Sequence, residues 1–292
     1  MNAFATRYHT VTVDGLDVFY REAGDPANPT IVLLHGFPSS SHMFRNLMSS
    51  LSDRFHLVAP DHIGFGRSAS PSPAEFTYSF DRLTEITEGL LSHLGLQRFA
   101  IYIHDYGAPI GLRIASRTPE RVTAIISQSG NAYLEGFTPF WDILFAHAKD
   151  RAANEAGVRE YFTAATTHWQ YVHGVPADRL DRIAPDAWLL DQAGLDRDGN
   201  DAIQLQLFWD YQFNLDGYPG FQEYFRTHQP PLLVTWGKND EIFGVAGAEA
   251  FRRDLPDGEY HLLDTGHFAL ETHGDEISGY IRDFLLRLDG RS

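Results

Sequence analysis

Six short apolar runs without alternation constrain the fold of this chain more than any other feature. They are Thr30–Leu34, Phe55–Ala59, Phe99–Ile103, Val122–Ile126, Leu232–Trp236 and Tyr260–Leu263. A strand with one wet face alternates apolar and polar residues, whereas a run without alternation is buried on both faces, as in parallel sheets. Helical patterns lie between these runs at Ser79–Leu94, Pro109–Arg117, Ala246–Asp254 and Glu276–Leu288. Strands alternating with helices imply an α/β protein whose mostly parallel sheet is covered on both sides. Two further strands, Val11–Val13 and Val18–Glu22, flank Asp14-Gly15, a hairpin turn pair, and bring the sheet to eight strands.

The alternation breaks once. From Tyr133 to His228 the patterns are helical, and this stretch carries four of the five tryptophans: Trp141, Trp169, Trp188 and Trp209. The expected organisation is a core domain of residues 1–132 and 229–292, with a helical cap domain of residues 133–228 inserted after the sixth strand.

Composition narrows the function. With 292 residues, 43% of them hydrophobic, the chain can bury one substantial core. A net charge of −16 argues against a basic face for nucleic acid or anionic lipid. There is no cysteine, so disulfides, thiolate nucleophiles and thiolate metal sites are excluded. Met1 to Thr10 is polar, and no apolar run approaches the ~20 residues of a membrane helix. The expectation is a soluble, cytoplasmic protein acting on a small molecule, with no nucleic-acid or membrane partner. Its oligomeric state is not legible.

The chemistry centres on Phe99–Ala115. A buried strand runs to His104, Asp105 stands at the turn, Gly107 and Ala108 are small, and a helix opens near Pro109. This is a strand, a sharp turn and a helix with one reactive side chain at the apex. Where that side chain is serine, an attack on an sp³ carbon ends in an ether that water does not remove. A carboxylate instead forms an ester, which a second attack by water can hydrolyse. Asp105 therefore points to an alkylating electrophile, an epoxide or an alkyl halide. The competing structural reading is that Asp105 only caps the helix.

Two loops bear on that choice. His267 follows the last strand in Leu262-Leu-Asp-Thr-Gly-His-Phe268, where a general base would stand. Asp240, in Trp236-Gly-Lys-Asn-Asp-Glu241, is the acid that would orient it, with Glu241 as neighbouring rival. An alternative acid position after the sixth strand reads Ser129-Gly130-Asn131 and holds no carboxylate. His35-Gly36-Phe37-Pro38 follows the third strand, and the backbone N–H groups of Phe37 and Tyr106 are placed to form an oxyanion hole. Gly64-Phe-Gly66-Arg-Ser-Ala69 mimics a dinucleotide fingerprint, but Ser70-Pro-Ser-Pro73 cannot open the helix that motif needs. No metal-ligand spacing occurs, and no cofactor is expected.

These motifs resemble the α/β-hydrolase superfamily, within it the branch of haloalkane dehalogenases, epoxide hydrolases and fluoroacetate dehalogenases. The resemblance covers nearly the whole chain and places Asp105, Asp240 and His267 on the family triad. Many dehalogenases bind the departing halide with side-chain N–H groups at the positions that are Phe37 and Tyr106 here. Phe37 has no donor, and Trp141 is the candidate substitute. Fluoroacetate dehalogenases follow the nucleophile with arginines, where this chain has Tyr106 and Pro109. Epoxide hydrolases protonate the departing oxygen with cap tyrosines. Asp210-Tyr211-Gln-Phe-Asn214 resembles the segment carrying one of them, so Tyr211 is the candidate donor. The second is left among Tyr133, Tyr161 and Tyr171. The resemblance thus implies epoxide hydrolysis first and hydrolytic dehalogenation as the alternative. A non-catalytic ligand-binding protein on the same scaffold, as in some plant hormone receptors, is the reading from another class.

Overall fold

The computed structural model describes residues 5–290, so the first four residues of the polar N-terminal stretch lie outside the described residues. Eight strands form one sheet: β1 (Arg7–Val13), β2 (Leu16–Ala23), β3 (Thr30–Leu34), β4 (His56–Pro60), β5 (Phe99–His104), β6 (Val122–Gln128), β7 (Leu232–Gly237) and β8 (Glu259–Leu263). Their order is β1-β2-β4-β3-β5-β6-β7-β8. The first two pairings, β1 with β2 and β2 with β4, are antiparallel, and all others are parallel. The hairpin turn at Asp14-Gly15 has positive φ at both residues, 47° and 78°, which matches the strand twist.

The continuous apolar runs are where the sheet is deepest. Every residue of β4, β5 and β7 is buried. The period of two then divides these side chains between two cores. Val32, Leu34, Ile101 and Ile103 face one, against α2 (Phe80–His93) and α3 (Gly107–Arg117). Ile31, Leu33, Ala100 and Tyr102 face the other, against α1 (Arg45–Leu51) and the long C-terminal helix. That helix spans Ala269–Asp289, seven residues earlier than its apolar period indicates, and carries non-helical dihedrals at His273. The first helical turn of α3 likewise starts at Gly107, ahead of Pro109.

Between β6 and β7 the described chain is helical, without a strand. Six helices fill it: α4 (Asp142–Lys149), α5 (Arg151–Arg159), α6 (Ala164–Val172), α7 (Pro185–Leu195), α8 (Asn200–Asp210) and α9 (Gln212–His228). They are followed by α10 (Val245–Ala250), and the C-terminal helix is α11. No described helix is long and apolar enough to cross a membrane.

The helix after Asp105 packs so closely that Gly107 is obligatory. A Cβ there would lie 2.2 Å from the carbonyl oxygen of Leu34 at the end of β3. Gly107→Ala must push α3 off the sheet, and the expected loss is about 1–3 kcal/mol of stability, read from the urea midpoint at constant slope.

Candidate active site

The carboxyl ends of β3, β5, β6, β7 and β8 lie side by side, and each contributes to one cluster. This is the edge at which open α/β sheets bind ligands. Asp105 sits one residue past β5 with φ +49°, in the left-handed region, between strand and α3. Its carboxylate accepts the backbone N–H of Phe37 at 2.7 Å and a second backbone N–H from Tyr106. Gly36 allows that approach, because a Cβ on it would fall 2.2 Å from Asp105 Oδ1. The loop holding Phe37 is braced by two neutral histidines. His62 N–H donates to His35 Nε2, the His62 ring bonds the His35 carbonyl, and burial pulls both imidazole pKa values down.

His267 follows β8 in the loop before α11. Its Nδ1 bonds Asp240 Oδ2 at 2.9 Å, and its Nε2 has no hydrogen-bond partner. Asp240 receives three further donors: the N–H groups of Ile242 and Phe243 on Oδ1, and the Ser129 hydroxyl on Oδ2. Ser129 itself has φ +54° and directly follows β6, so the position without a carboxylate bonds the acid instead of supplying it. The rival Glu241 points away to an ion pair with His173, and Asp264 to Lys238. Asp105, Asp240 and His267 are 4%, 5% and 3% exposed.

Burial sets the electrostatics. It raises the Asp105 pKa to about 6, against the opposing pull of His267 and the two backbone donors. Burial also opposes charge on His267, but Asp240 and Asp105 outweigh it, and the imidazole pKa is raised. With Nδ1 held by Asp240, the free Nε2 is the nitrogen available to take a proton.

Aromatic side chains close over Asp105. Phe37 packs on Phe208 of α8 at 4.8 Å between centroids, Tyr106 lies 5.8 Å from Tyr211, and Trp141 lies 4.4 Å from Tyr211. Trp141 does not offer the N–H that a halide would need, since its Nε1 donates to the Ile242 carbonyl at 2.9 Å. It serves as wall beneath Tyr211. None of the three candidates for a second tyrosine is available either. Tyr133 is bonded to Asp254, Tyr161 to the Phe140 carbonyl and Tyr171 to Asp191. The phenol beside Tyr211 belongs to Tyr218, which bonds both Tyr211 and the Asn131 amide. Burial raises both phenol pKa values, and the Asp105 charge adds to that, which places both hydroxyls within its field. Tyr218 was hidden in Asp216-Gly-Tyr-Pro-Gly220, which reads as a turn, although α9 runs straight through Pro219. The signal that finds it is its spacing of seven residues from Tyr211, the N-cap of α9. Arg113, on the helix that follows the elbow, is engaged with Asp81.

The family model described as "alpha/beta hydrolase fold" matches residues 29–274. The chain belongs to the α/β-hydrolase fold family. It is 46% identical over 279 residues to the uncharacterized hydrolase YNR064C of Saccharomyces cerevisiae, covering 94% of this chain and 95% of that one. A haloalkane dehalogenase of Mycolicibacterium paratuberculosis is 38% identical over 131 residues, 44% of this chain and 43% of that one. Among solved structures, the haloalkane dehalogenase DatA of Agrobacterium tumefaciens superposes with a TM-score of 0.78 at 22% identity, over 97% of each chain, which is likeness of fold. In this α/β hydrolase Asp105, Asp240 and His267 are all buried in one cluster.

The raised pKa of Asp105 has a consequence for stability with a definite sign. A carboxyl whose folded pKa exceeds its unfolded value favours the fold most below about pH 4 and loses that advantage as pH rises through about 6. Asp105→Asn should therefore match the parent at pH 4 and exceed it by on the order of 3 kcal/mol at pH 8, measured by urea unfolding across pH.

Proposed function

We propose that this hydrolase opens epoxides through a covalent ester on Asp105, under a cap formed by residues 133–228. The observation that carries this reading is the pair of hydrogen-bonded phenols, Tyr211 and Tyr218, within the field of the Asp105 carboxylate. Two phenols sharing one hydrogen bond, with Asn131 donating a second to Tyr218, keep one phenolic proton for a substrate oxygen.

Asp105 attacks an epoxide carbon, the ring C–O bond breaks, and the departing alkoxide takes a proton from the tyrosine pair. His267 Nε2 then removes a proton from water, whose oxygen attacks the carboxyl carbon of the ester. The N–H groups of Phe37 and Tyr106, already on the carboxylate, hold the tetrahedral oxyanion. Collapse releases a diol and restores the Asp105 carboxylate, and the proton held by His267 returns through solvent to the tyrosine pair. Asp240 keeps the imidazole oriented and stabilises its charged form. No part of the cycle calls for a redox or metal group.

The partial identity to a haloalkane dehalogenase favours a second reading, displacement of halide by the same carboxylate. The spent Trp141 N–H and the donor-free Phe37 weigh against it. The two are separated by the intact mass of a His267→Phe variant exposed to epoxides and haloalkanes. An adduct of the whole epoxide mass, absent in the double variant with Asp105→Asn, is expected. An adduct of the alkyl group alone would replace epoxide opening with dehalogenation. No adduct, in a folded variant whose parent is also inactive, would move the scaffold to the ligand-binding class.

Single Tyr211→Phe and Tyr218→Phe variants should lower kcat on epoxides by about 10²–10⁴-fold, with slower ester formation in rapid-quench experiments. The pH profile should fall on the acid side with a midpoint near 6, as Asp105 becomes protonated.

A further inference from the structure

Asn214 is wholly buried, and neither end of its amide has a hydrogen-bond partner. Buried amides are almost always satisfied, and one with both ends unmet in the interior points to a ligand or water that completes it. Its place in the fold says what that ligand is near. Tyr211, the N-cap of α9 with helical dihedrals, and Asn214 and Tyr218 within it occupy positions i, i+3 and i+7, which helical geometry puts within about 60° of arc on one face. The phenols of Tyr211 and Tyr218 bond each other on that face, and all three side chains are buried. Asn214 stands between them, one turn from each.

A second unmet group lies close by. The Tyr106 hydroxyl is buried without a partner, and its ring is 5.8 Å from that of Tyr211. The Arg113 charge reaches Tyr218, but its guanidinium is already bonded to Asp81 and to the Pro109 carbonyl. An amide that offers both a donor and an acceptor, with a neutral phenol beside it, complements a group that both accepts and donates: a hydroxyl.

We propose that Asn214 forms a specificity subsite for a hydroxyl substituent next to the reacting ring, so that the preferred substrates are epoxy alcohols. The inference rests on the epoxide reading above. The substrate hydroxyl donates to Asn214 Oδ1 and accepts from Nδ2, while the ring oxygen meets the Tyr211–Tyr218 pair and the adjacent carbon meets Asp105. An alkyl epoxide in the same place leaves the amide unpaired, which is how a site built for a hydroxyl rejects the analogue lacking it.

The test compares kcat/KM for 2,3-epoxyhexan-1-ol and 2,3-epoxyhexane. The parent enzyme should prefer the alcohol by about tenfold or more, and Asn214→Leu should bring the ratio to within about threefold, chiefly through KM. Thermal unfolding verifies that the leucine variant is folded. Should it not fold, Asn214→Ser supplies the same comparison with a smaller residue. Hydrolysis of 2,3-epoxyhexane as fast as the alcohol by the parent, or an unchanged ratio in a folded variant, overturns the subsite and leaves epoxide hydrolysis standing. Failure of the parent to hydrolyse either compound overturns the epoxide reading and the subsite with it.

Discussion

The structure around the site depends on one arrangement: a carboxylate buried at the tip of the central strand and held by two backbone N–H groups. Asp105 can stand there only because its backbone accepts a φ of +49° and because Gly36 and Gly107 leave room for the neighbouring strand end and helix. Burial raises its pKa, and the donors of Phe37 and Tyr106 limit the rise. The same two N–H groups that hold the resting carboxylate are positioned for the oxyanion of an ester formed on it. In the proposed mechanism one geometry would therefore serve both the ground state and the hydrolytic step.

Around this carboxylate the sheet works as a ruler. Parallel strands β3, β5, β6, β7 and β8 end on one edge, so loops far apart in sequence deliver Phe37, Asp105, Ser129, Asp240 and His267 to one place. The supporting shell is as specific as the cluster itself. Asp240 is gripped by Ile242, Phe243 and Ser129 as well as by His267, and His35 and His62 lock the loop that presents Phe37. The helical insertion supplies a different kind of group: aromatic walls from Trp141 and Phe208, and phenols from Tyr211 and Tyr218. In the proposed reaction, a nucleophile and base on the sheet would face neutral donors from the helices, the division of labour that opening a strained ring requires.

The amino-acid sequence by itself determined the parallel sheet, the helical stretch after β6 and the elbow at Asp105. Those follow from local rules: unbroken apolar runs, period-3.6 segments, and small residues after an apical side chain. His267 and Asp240 were legible because each lies in a short loop after a strand whose place in the order was already clear. Element ends were less so. The long C-terminal helix starts seven residues before its apolar period, since a short helical piece precedes the kink at His273 and is joined to it. The tertiary structure alone decided the contacts made across elements. Whether an indole N–H is free depends on what lies opposite it, and for Trp141 that is the Ile242 carbonyl, 101 residues on. Which tyrosine joins Tyr211 depends on whether α9 continues through Pro219, and propensity argues the wrong way there because packing of Tyr218, Phe221 and Phe225 outweighs the lost backbone bond. Local sequence sets backbone direction, but hydrogen-bond partners are chosen by the assembled core.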